Sequence, residues 1–170
     1  MSHRTTSNAQ GARFVRAAIL SCLTAALLTA CASDGAVRRV SEPAAGIQQL
    51  TVRTDGSWSV DVRINNYSSI PMRFDAVSLA MNFGGEAAGT LTGNAGISIG
   101  PESADVVTLV HAPQSGARIV LADALSSGRG VAYTFKGTLS AAPDDGKARA
   151  YEVEHSSSLT RVPGLAGVLR

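Results

Sequence analysis

The side chains of this 170-residue sequence that could do chemistry are few, and their spacing sorts them. There are two cysteines, Cys22 and Cys31, and three histidines, of which His111 and His155 lie in the body of the chain. A metal site or a general base needs partners at defined spacing. Neither histidine has a Cys, His or Glu placed in such a pattern, so both read as surface histidines at strand ends. Ser156-Ser157-Ser158 offers hydroxyls but lacks the Gly-x-Ser-x-Gly elbow that exposes a nucleophile, and reads as a polar strand end. Asp144-Asp145 with Glu152 and Glu154 lacks the spaced acids of a calcium loop, and reads as a solvated turn and strand face. Gly84-Gly85 and Gly93 have no phosphate-loop spacing and read as turns. Trp58 reads as core, and Asn65 as a residue that bonds local backbone between two strands. No catalytic residue, cofactor site or metal set is expected from these groups.

Cys31 is different because of what precedes it. Arg4, Arg13 and Arg16 make a basic region with no acid before Asp34, and Ala17–Leu28 is an uncharged, mostly apolar run. That order is the layout of a secretory leader, not of a piece of fold. The run of about 12 residues is well short of the ~20 that a spanning helix needs. Leu28-Thr29-Ala30-Cys31 resembles the bacterial lipobox: an aliphatic residue, two small residues, then the cysteine that becomes the new N-terminus. The resemblance implies that the Cys31 thiol accepts a diacylglyceryl group. It also implies that small Ala30 lets the signal peptidase reach the bond before Cys31. Lipoproteins of this class usually carry two or three acyl chains, enough for stable anchoring where one chain is not. The following residue is Ala32, not the Asp that in the enteric rule retains a lipoprotein at the inner membrane. The outer membrane, facing the periplasm, is therefore favoured over the inner membrane. Cys22 would leave with the leader, 1–30.

The charge balance changes once the leader is set aside. The whole chain carries fifteen Lys and Arg against thirteen Asp and Glu, and three of the arginines lie in the leader. Twelve basic against thirteen acidic side chains leaves the remainder near −1. Basicity is no argument for nucleic acid here, and no Lys/Arg run with interleaved aromatics occurs. With only Cys31 retained, no intramolecular disulfide, thiolate nucleophile or cysteine metal site is available. The domain must stand on its apolar core, and about 100 residues of core-forming sequence over 47–139 suffice for one.

Residues 31–45, small, polar and charged with Pro43, read as a flexible tether. From Ile47 the period becomes two. Asp55-Gly56 marks a tight turn between alternating runs. Beyond it Trp58, Val60, Val62 and Ile64 share one face, while Ser57, Ser59, Asp61 and Arg63 share the other. Asn65 to Ser69 breaks this strand. A longer strand spans 72–83, with Met72, Phe74 and Ala76 in one phase and Val77, Leu79, Met81 and Phe83 in the other; the change near Ala76 predicts a bulge. Gly84-Gly85 returns the chain through Ala87 to Leu91, and Ile97 and Ile99 mark a separate short strand. A valine-rich strand follows over Asp105–His111. Gln114–Ser127 is the one expected helix, with Ile119, Val120, Leu121, Ala124 and Leu125 as its apolar stripe and Gly128 as its stop. Strands around Val131–Leu139 and Tyr151–Leu159 end the domain, and 161–170 reads as a loose tail. Seven or eight short strands with turns every 8–12 residues or so predict an all-β, immunoglobulin/fibronectin-III-like sandwich.

Asn65-Asn66-Tyr67-Ser68-Ser69-Ile70-Pro71-Met72, then Val77-Ser78-Leu79, Gly84-Gly85 and Ala88-Gly89, resembles the late-embryogenesis-abundant type 2 domain, also called the water-stress and hypersensitive-response domain. The strand over Gly130–Gly137 after a helix fits the same pattern, and the resemblance covers 46–160. Asn66 stands where that family commonly has proline. The resemblance implies a seven-stranded sandwich with a helix across one end. It also implies a non-enzymatic domain associated with desiccation or other stress, and it carries over no catalytic residue. Two functions follow as expectations. One is a lipid-anchored envelope protein with a stress-protection domain. The other is a binding or accessory module of an envelope transport or assembly complex, partnered by another envelope protein and not by nucleic acid.

Overall fold

The computed structural model describes residues 38–170 except 145. The expected leader over 1–30, Cys31 and the first part of the 31–45 tether lie outside the described residues. Eight strands and one helix follow in order: β1 Ala44–Val52, β2 Trp58–Asn66, β3 Met72–Phe83, β4 Glu86–Ile99, β5 Ser103–His111, α1 Ser115–Ser127, β6 Val131–Pro143, β7 Arg149–Leu159 and β8 Val168–Leu169. They form two antiparallel four-stranded sheets, ordered β5-β2-β1-β8 and β4-β3-β6-β7. This is the predicted all-β sandwich with one short helix.

Local chemistry sets the elements. In the β1–β2 turn, the Asp55 carboxylate accepts from the Ser57 N–H (2.9 Å) and hydroxyl (2.6 Å), and Gly56 takes the positive φ that closes it. Those bonds hold the Asp55 carboxyl below its ordinary range. In β2 the inward face is Trp58, Val60, Val62 and Ile64, all buried. The β3 bulge falls where the phase change predicts, with register shifts after Phe74 against both β4 and β6. Ala76 itself faces out, because Asp75 and Ala76 are the two residues the bulge leaves off the inner face.

Three expectations are corrected. The residues from Ala87 to Ile99 lie in one 14-residue strand, Glu86–Ile99, not in two. Gly89 and Gly96, both at positive φ, lie where the β3–β4 register shifts, so β4 absorbs two irregularities that break its sequence pattern. The helix buries Ala117, Leu121 and Ala124, whereas Ile119 is 70% exposed. The residues of 161–170 are not loose. Val168 and Leu169 form β8 on the β1 edge, Leu169 is fully buried, and Thr160 and Arg170 exchange backbone hydrogen bonds at 2.5 and 2.9 Å.

The two sheets meet over a core whose largest fully buried side chains are Trp58, Phe74, Phe83 and Phe135. An aromatic row crosses it: Trp58 meets Phe83 edge-on at 5.1 Å, Phe83 stacks on Tyr133 at 5.9 Å, and Tyr133 meets Phe135 at 6.3 Å. The two histidines cap this row, His111 beside Trp58 and His155 beside Tyr133 and Phe135. At one end of the sandwich lie the β2–β3 and β4–β5 loops and the start of the described chain. At the other lie the β1–β2 and β3–β4 turns and α1.

Candidate functional site

The structure separates the chemically capable residues into three places. Cys31 lies outside the described residues. His111 is not a surface histidine: it is 8% exposed, and its Nε2 lies 2.8 Å from the Ala88 carbonyl oxygen. That oxygen also accepts from the Gln114 N–H, so one β4 carbonyl holds both the end of β5, through His111, and the start of α1. Glu154 pairs across the sheet with Lys136 at 3.6 Å. Among the described residues no three His, Cys, Asp or Glu side chains converge.

The first built arrangement is a polar node at the end where the described chain starts. Its centre is Asn66, the last inward residue of β2. The Asn66 side-chain amide donates toward the carbonyl oxygens of Ile70 (2.9 Å), Ile99 (3.0 Å) and Gly100 (2.9 Å). Its Oδ1 accepts from the Ser68 N–H at 2.9 Å. The role expected of Asn65 thus belongs to its neighbour; Asn65 belongs to the outer phase of β2. Buried Ser68 passes the network on, its Oγ accepting from the Ser41 N–H at 3.0 Å. Arg39 is held by Ser69 on both sides, N–H to Oγ at 2.8 Å and C=O to the Ser69 N–H at 3.0 Å. Its guanidinium reaches Glu102 at 3.3 Å. The segment leading into β1 is therefore fastened to both loops at this end before the sandwich begins.

The second arrangement is a cleft of about 410 Å³ on the seam where β1 crosses the β7 edge. Arg63, Asn65 and Tyr67 line one wall; Tyr133, His155 and Ser157 line the other. Gly46 faces the His155 ring, and a Cβ on it would stand in ordinary contact at 3.6 Å from the Nε2. The Tyr133 hydroxyl accepts from the Ile47 N–H at 3.1 Å. Burial raises its pKa, against the hydrogen bonds of Ile47 and Ser157, which lower it. Among the described residues no carboxylate lines the cleft. Nothing about the spacing of His155 and Ser157 announced this meeting; the signal was that both share the inward phase of β7 with Tyr151 and Val153. The third place is a groove beside α1.

The family follows from comparison with known sequences. Residues 61–156 match the model for the late embryogenesis abundant protein family, type 2. The match spans more than half of the chain, from β2 through β7, and the protein belongs to that family. The domain is thus of the stress-related late embryogenesis abundant type. The chain matches no curated protein sequence. Among solved structures, it is similar to an Arabidopsis thaliana protein solved in solution, at 11% identity and a TM-score of 0.48, covering 73% of this chain and 80% of that one. A candidate late embryogenesis abundant (LEA) protein gives 13% identity and a TM-score of 0.47, covering 95% and 94%. A protein from Archaeoglobus fulgidus gives 12% and 0.43, covering 73% and 98%.

Proposed function

We propose that the protein is an exported lipoprotein, held to the outer membrane by lipid on Cys31, whose domain serves a non-enzymatic, stress-protective role on the periplasmic side. The observation that carries this reading is the pairing of a stress-type family domain over 61–156 with a leader ending in Leu28-Thr29-Ala30-Cys31. The polar node supports it mechanically. A lipid-borne pull on Cys31 would reach the domain through Arg39 and Ser41, where the backbone is already clamped to Ser68 and Ser69. Mass spectrometry of the mature N-terminus tests the anchor: the expected species starts at acylated Cys31, and an unmodified N-terminus elsewhere would end that part of the reading. Survival of a deletion strain under drying, osmotic and detergent stress tests the role. Unchanged survival would defeat it.

A second reading, a binding or accessory module of an envelope assembly, draws on the seam. Among the described residues β7 pairs only with β6, and β1 from Ala44 to Gln49 pairs only with β2. Two strand edges therefore flank the cleft, and strand addition to such edges is a common docking mode. Cross-linking in cells that returns one stoichiometric partner favours this module over general protection.

A further inference from the structure

The groove beside α1 has a composition that no protective role requires. It lies at the end of the sandwich opposite Arg38, between α1, the β1–β2 turn and the loop before β8. Its narrow part, about 230 Å³, has Val52, Trp58, Leu121 and Leu125 as floor and walls. Through Ala122 and Leu125 it continues into a wider stretch of about 620 Å³ beneath Leu165, which is half exposed. A trough this apolar, open to water, leaves hydrophobic surface uncovered that a ligand's chain would cover.

Two guanidinium groups stand at its ends, and they are not equivalent. Among the described residues neither Arg118 nor Arg161 has a carboxylate within ion-pair distance. Arg161 Nη2 stands 3.8 Å from where a Cβ on Gly128 would be, at the left-handed residue that ends α1. The last turn of α1 has no basic residue of its own, and Arg161 stands beside that end of the helix, where the dipole favours a cation. Arg118 has no such employment. It lies over the β1–β2 turn, its Nη2 3.3 Å from where a Cβ on Gly56 would be, at the mouth of the narrow part. The Asp55 carboxylate of that turn accepts from Ser57 and makes no ion pair with Arg118.

We infer that this groove binds a long-chain fatty acid, with the carboxylate on Arg118 and the acyl chain lying along Val52, Leu121 and Leu125 toward Leu165. The charge complementarity is Arg118, a cation without a carboxylate partner at the narrow end of an apolar trough, which suits one anionic head on one chain. The inference is independent of lipid on Cys31, which is covalent and joins the chain ahead of the opposite end.

Trp58 makes the test direct, because it is the only tryptophan in the chain and it lines the groove. Purified full-length protein is titrated with palmitate, with hexadecanol, and with vesicles of anionic phospholipid, while tryptophan emission is followed. Palmitate should give a saturable change, and hexadecanol should bind at least about tenfold more weakly for want of a head for Arg118. Arg118→Gln should weaken palmitate by a similar factor, whereas Arg161→Gln should leave its affinity within about twofold. Ala122→Phe, at an exposed helix position where both parts of the groove meet, should block binding with the circular dichroism spectrum unchanged. Absence of a saturable palmitate response overturns the inference. So does equal affinity for hexadecanol, indifference to Arg118→Gln, or a response to vesicles alone. If Ala122→Phe fails to fold, the surface variants Arg118→Gln and Arg161→Gln still decide.

Discussion

Three carbonyl oxygens converge on the Asn66 amide, which has two hydrogens to offer, so one is shared. Asn66→Ala leaves those oxygens and the Ser68 N–H to find other partners at a buried site, and should cost about 2–3 kcal/mol in urea denaturation. Asn65→Ala, in the outer phase of the same strand, should change stability by no more than about 0.5 kcal/mol. Equal losses at the two positions would remove Asn66 from the centre of the node. The distinction was legible in the sequence. Trp58, Val60, Val62 and Ile64 fix the inward phase of β2, and the next member of that phase is Asn66. The same arithmetic buries His111 after Val107 and Leu109. In both places turn and strand-end chemistry, read locally, displaced a period that simply ran on. Tyr133 carries a pH prediction. Burial raises its folded-state pKa, so its contribution to stability is fully present below the ordinary tyrosine value near 10 and is lost as pH rises through the raised value. Thermal melts should show a decline above about pH 10 that Tyr133→Phe reduces. At neutral pH that variant should cost about 1 kcal/mol or more, because the Ile47 N–H loses its acceptor. An alkaline limb unaltered in Tyr133→Phe would assign the decline to other groups.

Among the elements, β6 and β8 make the sharpest predictions. Gly137 lies mid-strand between Leu79 of β3 and Val153 of β7. A methyl there would overlap the Ser78 carbonyl oxygen and approach the Leu79 Cα to 2.9 Å. Central strands cannot move apart without breaking ladders on both sides, so Gly137→Ala should cost about 3 kcal/mol or more by chemical denaturation. A loss under about 1 kcal/mol would mean the sheets part more easily than this packing implies. Leu169→Ala should cost about 2–4 kcal/mol, as for a buried leucine in any core; a loose tail would make it neutral. The sequence showed the hairpin at Asp55-Gly56, the β3 bulge and the stop at Gly128 because each is local chemistry. It did not show β8. Two apolar residues, Val168 and Leu169, have no period to read, and their place on β1 is decided by the Leu50 and Thr51 edge, more than 110 positions earlier. The helix stripe misled for a related reason. Ile119 is apolar and at helical spacing, but α1 buries only one narrow face, set by Ala117, Leu121 and Ala124, where small residues let the helix approach the sheets.

At the scale of the whole molecule, the proposed anchor would set which end of the sandwich faces the bilayer. Residues 31–37 can span at most about 25 Å at ~3.5 Å per residue. The strands run the length of the domain, and β4 alone, with 14 residues, covers roughly 45 Å at ~3.3 Å per residue. The tether is thus shorter than the domain is long. It joins at the end bearing Tyr67, Ser68 and Ser69, where Arg39 is fastened. The β3–β4 turn and the α1 groove would then project away from the membrane into the compartment. Tyr67 is half exposed at the near end, and Glu86 is exposed at the far end. If the Cys31 thiol is acylated and Cys22 leaves with the leader, as proposed, a cysteine introduced at either position would be the only one to react with a thiol dye. Dye on Tyr67→Cys should lose most of its emission to acceptors carried on lipid headgroups, and dye on Glu86→Cys should keep most of its own. Equal transfer from the two positions would mean a domain that lies flat or tumbles at its tether, and the clamp of Arg39 and Ser41 would then orient nothing. Cys31→Ser, which cannot be acylated, should abolish transfer from both positions and move the protein from the membrane to the soluble fraction. Retention in the membrane fraction after that change would assign the attachment to the domain surface instead of the lipid.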